Sequence, residues 1–416
     1  MRHKLLLRSL FDTAVAAAQP AAAVGAHLPP RPKGETVVIG AGKASAQMAQ
    51  ALEASWDGPL RGLVVTRYGY AVPCERIEIV EAAHPIPDEA GLNATRRLFE
   101  TIRDLGPDDL VIALISGGGS ALLPCPAPGM SLADEVEVNR VLLASGAPIG
   151  VMNCIRKQLS GVKGGQLAAA TRARVYTMVV SDIPGDVAAM VASGPTLPDE
   201  TTRADALQAI SDYRITLPAA AQAALQRAGA LPLPQDPAFR RNSHVVIASA
   251  AISLQAAAEH ARKFGFRPFI LSDAMEGEAR DVGLVHAALA RGAGAGSPFN
   301  APAVLLSGGE TTVTLRGAGK GGRNSEFLLS FALAIDGVEG IEALAADTDG
   351  IDGSEANAGA YADGLSVQRM RRAGLEPRAM LSANDAYSAF EAVDDLLVTG
   401  PTGTNVNDFR AIVLSN

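Results

Sequence analysis

Short apolar runs, each followed by a helical stretch, constrain this chain most. TVVIGAG (36–42), GLVVTRYG (62–69), RIEIVEAAH (76–84), LVIALISGG (110–118) and VYTMVVSDI (175–183) have strand character. Between them lie ASAQMAQALEAS, EAGLNATRRLFETIRDL, SLADEVEVNRVLLASG and KQLSGVKGGQLAAATR, which have helical character. Strands apolar on both faces, alternating with helices, predict an α/β fold with a parallel sheet covered on both sides. In such sheets, ligands gather where strands end and helices begin.

The alternation breaks at GALPLPQDPAFRRN (229–242), whose prolines and charges suit a domain boundary. It resumes with HVVIASA (244–250), RPFILSDA (267–274), APAVLLSGGETTVTLRG (301–317) and IEALAADTDG (341–350), again with helices between. The expectation is two α/β domains, residues 1–235 and 236–416. GAGAGSPFNAP (292–302) reads as a flexible connector. Near the start, Leu6, Leu10, Phe11 and Val15 share one face of an amphipathic helix. VLLSGGETTVTL (304–315) echoes ALISGGGSALL, so each domain is expected to carry a Ser-Gly-Gly turn at a strand end.

The chain has 416 residues, enough for two or three domains. Aromatic residues make up only 4%, which speaks against stacking platforms for nucleic acid or long glycans. A net charge of −8 speaks against a general nucleic-acid or anionic-membrane binder. No apolar run approaches the length of a membrane span. Cys74, Cys125 and Cys154 have no metal spacing and read as free thiols of a cytoplasmic protein.

VVIGAGKASAQMA (37–49) runs strand, glycine turn, helix. As a dinucleotide fingerprint it has Gly40 and Gly42, but Ser45 replaces the third small residue. The next strand ends on Arg67 rather than an acid. As a Walker A loop it fails at Val37. What remains is Lys43 at a helix start, where anions are favoured. In SDIPGD, Asp182 and Asp186 follow a buried strand; they suit a base, a metal ligand or a plain turn. RGAGKGGRNSEF brings Lys320 and Arg323, with expected free N–H groups, to one helix start. AADTDGIDGSE gathers Asp347, Asp349, Asp352 and Glu355 without an EF-hand pattern; metal, substrate hydroxyls and a polar turn stay open. Arg156, Lys157 and Lys163 read as a solvated basic face, His84 as structural, and GTNVNDF as an ordinary turn. These parts together suit phosphoryl transfer, which depends on positioning and charge neutralisation.

VVIGAGKAS, AAHPIPDEAG, ALISGGGSALL, NCIRKQLSGVKGGQLA, SDIPGDVAAMVASGPT, LLSGGETTV, GKGGRNSEF, ADTDGIDG and TGTNVND follow one another from about residue 36 onward. In that order they resemble the glycerate 2-kinase family, whose members end in a MOFRL domain. The resemblance implies an ATP-dependent kinase that converts D-glycerate to 2-phosphoglycerate with Mg²⁺ or another divalent cation. It implies a Rossmann-like first domain, a smaller mixed-sheet second domain and an active site in the cleft between them. It makes Lys43 and Arg323 catalytic and puts Asp182 in the active site. On this reading, Ser116, Gly117, Gly118, Gly119, Ser120, Gly308, Gly309, Glu310, Lys320, Asn324 and Asp349 bind substrate or phosphate, and the metal ligands are unknown. Whether the 116–120 loop holds a phosphate or the glycerate carboxylate stays open, as does a homodimer. The alternatives are an NAD(P)H-dependent hydroxypyruvate reductase, a name often attached to this family, and a non-catalytic binder of a small organic acid.

Overall fold

The computed structural model describes residues 2–294 and 298–415. Residues 295–297 of the expected connector lie outside the described residues. The chain divides into two units, one of residues 20–247 and one of residues 1–19 with 248–416.

The first unit is built on β1 (Thr36–Ala41), β2 (Arg61–Arg67), β3 (Ile77–Ala82), β4 (Leu110–Ser116), β5 (Arg174–Val180) and β6 (Ser243–Ala248). Their order in the sheet is β3-β2-β1-β4-β5-β6. β1 pairs in parallel with β2 and β4, and β3 and β5 extend the sheet in the same sense. Every residue of β1 and β4 is buried, as expected of central strands covered on both faces. Val37, Ile39, Val111, Ala113 and Ile115 form one face of the core with Leu98 and Ile102 of the helix Glu89–Ile102. The chain runs outward from β1 in one direction, then returns beside it at β4 and runs outward in the other. The carboxyl ends of β1 and β4 therefore flank the topological switch point, where open α/β sheets bind ligands.

The second unit holds β7 (Arg267–Glu278), β8 (Ala303–Thr312), β9 (Ile341–Asp347), β10 (Gly359–Asp363), β11 (Leu396–Leu397) and β12 (Asp408–Leu414). Their order is β11-β10-β9-β12-β8-β7. β12 runs antiparallel between β8 and β9, whereas β7 and β8 are parallel, so the sheet is mixed. On one face, Phe327, Leu328 and Phe331 of the helix Arg323–Ala334 pack with Leu305, Ala343 and Ile412. On the other, Leu7, Leu10 and Phe11 of the helix Lys4–Ala17 pack with Leu306, Leu344, Phe409 and Val413. The amphipathic first helix thus forms as its pattern predicts, with Val15 only partly buried. Its apolar stripe places residues 1–19 with residues 248–416 rather than with 20–235.

Two expectations need correction. Gly308 and Gly309 are not a turn. β8 continues through them because β12 pairs on one side, with Phe409 opposite Gly308 and Asp408 opposite Gly309. On the other side Gly309 (φ +120°) lies at an irregularity in the pairing with β7, where a Cβ would stand 2.2 Å from the Met275 nitrogen. Only glycine tolerates that conformation and approach. Nor is KQLSGVKGGQLAAATR one helix. The helix Ile149–Gln158 ends at the second residue of that segment, Gly164 and Gly165 take left-handed φ of +64° and +82°, and only Gln166–Ala169 is helical again.

Candidate active site

Four strand ends of the first sheet converge. After β1, the Lys43 nitrogen donates to the Gly117 carbonyl (2.8 Å), and the Ala44 nitrogen donates to Ser116 Oγ (3.1 Å). Ser45 Oγ lies 3.0 Å from the same Ser116 oxygen. The turn after β1 is thereby tied to the turn after β4. Ser116 is buried, and its hydroxyl holds the fold together instead of facing a substrate as expected. Beyond it, Gly118 has φ +82°, and a Cβ there would lie 3.1 Å from His84 Nε2 and 3.2 Å from Lys43 Cγ. A Cβ on Gly117 would lie 1.9 Å from Asp182 Oδ2. Bare backbone is thus what lets Lys43 (after β1), His84 (after β3) and Asp182 (after β5) reach one place above β4. The helical turn Gly119–Leu122 begins there without a side-chain cap.

His84 belongs to this group although its sequence context suggests a structural role. Burial, then the charges of Lys43 and Arg67, lower its pKa to about 4, so it stays neutral near pH 7. The motif AAHPIPDEAG was the available signal. Ser120, at the far end of the turn, has its Oγ 2.7 Å from Ser193 Oγ, which donates to Asn153 Oδ1 at 3.1 Å. Ala192 and Ser193 hold left-handed φ of 53° and 59°. Non-glycine residues take such angles at a cost of ~1–3 kcal/mol each, and sites of function are where that cost is tolerated.

In the second unit, Arg323 opens the helix Arg323–Ala334. Its Nε donates to Asp408 Oδ1 (2.7 Å), Nη1 to Glu310 (2.7 Å) and Nη2 to Asp347 (2.8 Å). Burial alone would lower the Arg323 pKa; Asp408, Asp347 and Glu310 more than reverse this and raise it. The three carboxylates differ in exposure: Asp408 0%, Asp347 9%, Glu310 54% of the side chain. Burial, followed by the charge of Asp349, raises the Asp347 pKa. Asp408 also accepts from Asn324 Nδ2 (2.8 Å), from the Thr311 nitrogen (3.2 Å) and from the fully buried Arg410. Asp408 and Arg410 lie in and after what the sequence presents as an ordinary turn.

The start of this helix is not the open N–H cradle its sequence predicts. Asp352 Oδ1 accepts from the Asn324 nitrogen (2.9 Å) and Asp352 Oδ2 from the Ser325 nitrogen (2.8 Å). The Gly322 nitrogen donates to Ser325 Oγ (3.1 Å), and the Lys320 nitrogen to Asp385 Oδ1 (3.0 Å). A carboxylate of the chain itself fills the anion position. Burial keeps the Asp352 pKa raised despite these bonds. Lys320 is exposed, with Nζ 3.6 Å from Glu355. Asp349 accepts from the Ile351 nitrogen (2.9 Å), which closes the loop after β9. Among the described residues no group of three or more His, Cys, Asp or Glu is arranged to hold a metal.

The comparisons with known proteins agree with this architecture. Residues 6–226 match a family described as a domain of unknown function, DUF4147, and residues 303–408 match the MOFRL family. A protein of Agrobacterium vitis named "Putative hydroxypyruvate reductase" is 54% identical over 98% of this chain and 94% of its own length. The glycerate 2-kinase of Pyrococcus horikoshii is 38% identical over 92% of this chain and 88% of its own. The crystal structure of a glycerate kinase from Thermotoga maritima superposes with a TM-score of 0.90 at 35% identity, covering 99% of both chains. The chain belongs to the MOFRL-domain glycerate kinase family.

Proposed function

We propose that this chain transfers the γ-phosphoryl group of ATP to the 2-hydroxyl of D-glycerate, giving 2-phosphoglycerate and ADP. One observation carries the reading in a chain of this family: Lys43, His84 and Asp182 converge on glycine backbone at the switch point of the first sheet. The 2-oxygen forms the new bond to phosphorus as the bond to the β-phosphate oxygen breaks. Asp182 takes the hydroxyl proton. Lys43 neutralises charge on the transferring group, the main task in this chemistry, and Arg323 is the second cation proposed for that task. Neutral His84 and the Gly117–Gly118 backbone complete the phosphate contacts.

Mg²⁺ commonly binds through one or two carboxylates together with substrate phosphates. In the second unit, Glu310, Asp347 and Asp408 each pair with Arg323 and do not fit a metal cage. A cytoplasmic location is part of the same reading; no helix among the described residues is long and apolar enough to cross a membrane.

The reductase named among the relatives needs a nicotinamide site. Arg67 stands where an acid would hold the ribose, and its guanidinium lies 3.6 Å from the Tyr70 ring centre. The test is direct. Purified protein with D-glycerate, ATP and Mg²⁺ should form ADP and 2-phosphoglycerate, identified by phosphorus NMR. Oxidation of NADH by hydroxypyruvate, with no glycerate-dependent ADP, would overturn the kinase.

A further inference from the structure

One amide and two hydroxyls form a chain that ends on the glycine turn of the first unit. Asn153 Oδ1 accepts from Arg156 Nη1 (3.1 Å), and Ser193 Oγ lies 3.1 Å from the same oxygen. Ser120 Oγ lies 2.7 Å from Ser193 Oγ. The direction of each bond is fixed. A guanidinium has only hydrogens to give, so the Asn153 atom that faces Arg156 is the carbonyl oxygen. That oxygen can only accept, so Ser193 gives it the one hydroxyl hydrogen a serine has. Ser193 then has none left for Ser120, and two oxygens 2.7 Å apart need a hydrogen between them. Ser120 therefore donates to Ser193, and its remaining lone pairs can only accept. Asn153 and Ser193 are both buried, so neither turns to solvent instead.

An oxygen that only accepts is a poor neighbour for a carboxylate or an ionised phosphate, whose oxygens also only accept. It suits a hydroxyl. Ser120 is only partly buried, and two residues before it the Gly118 backbone meets His84 and Lys43. Asp182, the base for the reacting hydroxyl, packs on Gly117 instead, so the hydroxyl at Ser120 is a different one. We propose that Ser120 Oγ accepts a hydrogen bond from the second, non-reacting hydroxyl of the acceptor substrate. The turn then takes an anion at its Gly117–Gly118 end and a hydroxyl at its Ser120 end. This rests on the glycerate kinase reading, which makes the group the 3-hydroxyl of D-glycerate. Ser120 is thereby a specificity residue: an acid that lacks this hydroxyl leaves its oxygen without a donor.

The test uses the full chain as wild type, Ser120→Ala and Ser120→Cys, with D-lactate as D-glycerate without its 3-hydroxyl. Binding of each acid is measured by calorimetry without ATP, and KM values for D-glycerate and ATP by ADP release. The wild type should bind D-glycerate ~10-fold more tightly than D-lactate. In Ser120→Ala this preference should fall below ~2-fold through weaker D-glycerate binding, with D-lactate affinity and the ATP KM changed less than ~2-fold. A thiol accepts only weakly, so Ser120→Cys should fall between; it carries the test if the alanine variant does not fold. A preference that survives Ser120→Ala would overturn the proposal, as would an equal loss for both acids. A raised ATP KM would assign Ser120 to a phosphate and overturn it too. If the wild type binds D-glycerate yet forms no ADP, the kinase reading fails, and the calorimetric preference alone decides the inference. If the wild type binds neither acid, or both equally, the inference falls.

Discussion

Asp408 holds Arg323 from beneath: its Oδ1 accepts from Arg323 Nε at 2.7 Å while its other oxygen is taken by Arg410. One fully buried carboxylate therefore aims one guanidinium and neutralises a second. Arg323 turns its Nη groups to Asp347 and Glu310, the second of these in solvent.

Asp408→Asn should affect both stability and rate. It leaves the fully buried Arg410 and the partly buried Arg323 facing an amide, and breaking a buried ion pair from one side costs ~3–5 kcal/mol. A large fall in thermal midpoint is expected, with kcat reduced at temperatures where the variant is still folded. Unchanged melting together with unchanged kcat would remove Asp408 from this role.

Glu310 is the one partner of Arg323 that solvent can replace. An incoming anion must share or displace it. Glu310→Gln should therefore lower the KM for the anionic substrate that meets Arg323, by roughly 3- to 10-fold, the size of one partly screened charge pair. Initial-rate measurements varying each substrate in turn would identify which one. A rise in both KM values would show that Glu310 helps to hold the site.

Lys43→Ala should lower kcat by about 10²–10³, the usual loss when a group that stabilises transition-state charge is removed. Arg323→Ala should do likewise. If Lys43→Ala kept wild-type kcat, the lysine would have no part in charge neutralisation.

Asp199→Asn leaves the fully buried Lys157 without its counter-ion. Midpoints from thermal melts should fall well below those of a surface control such as Asp104→Asn. Asp104 has 92% of its side chain exposed.

Stability should decline on mild acidification. Burial lowers the His286 pKa to about 4, while Nδ1–H donates to the Val282 carbonyl and Nε2 accepts from Ser307. The unfolded chain binds this proton near the ordinary pKa of ~6.5, the folded chain only near 4. Between these values the unfolded state holds more protons, so stability falls as pH falls. It is fully present above the unfolded value and lost on the way to the folded one. His84 acts in the same sense. Melting His286→Gln at pH 7 and pH 5 should show a smaller drop than wild type. An equal drop would assign the acid sensitivity to other groups.

Much of this protein is legible in one dimension. The runs around Val38, Ile112 and Val179 announce central strands because a strand covered on both faces has no polar positions. Lys43 is legible because a glycine turn between strand and helix favours an anion, whatever else surrounds it. Gly308 is not, since a glycine that continues a strand reads like one that ends it, and only the bulge in β7 decides. Asp352 looks like one of several loop acids. Its place at the Asn324 and Ser325 nitrogens depends on a fold that brings residues 28 and 27 positions apart together. Lys157 and Lys163 read as part of a solvated basic face, yet both are buried, one against Asp199 and the other against Glu135. A counter-charge brought in from another element becomes visible only in three dimensions.

β12 lies between β8 and β9, with seven register pairs on each side, yet it follows every other strand in the chain. During synthesis the helix Lys4–Ala17 leaves the ribosome before the strands it packs on, and that surface is not complete until residue 414 has emerged. The 20–247 unit can fold in the meantime. The leading helix cannot, so its Leu7, Leu10 and Phe11 stripe waits as a chaperone-sized apolar segment on the nascent chain. Order of assembly is thus set by topology: a helix made before its sheet is among the last elements to be buried.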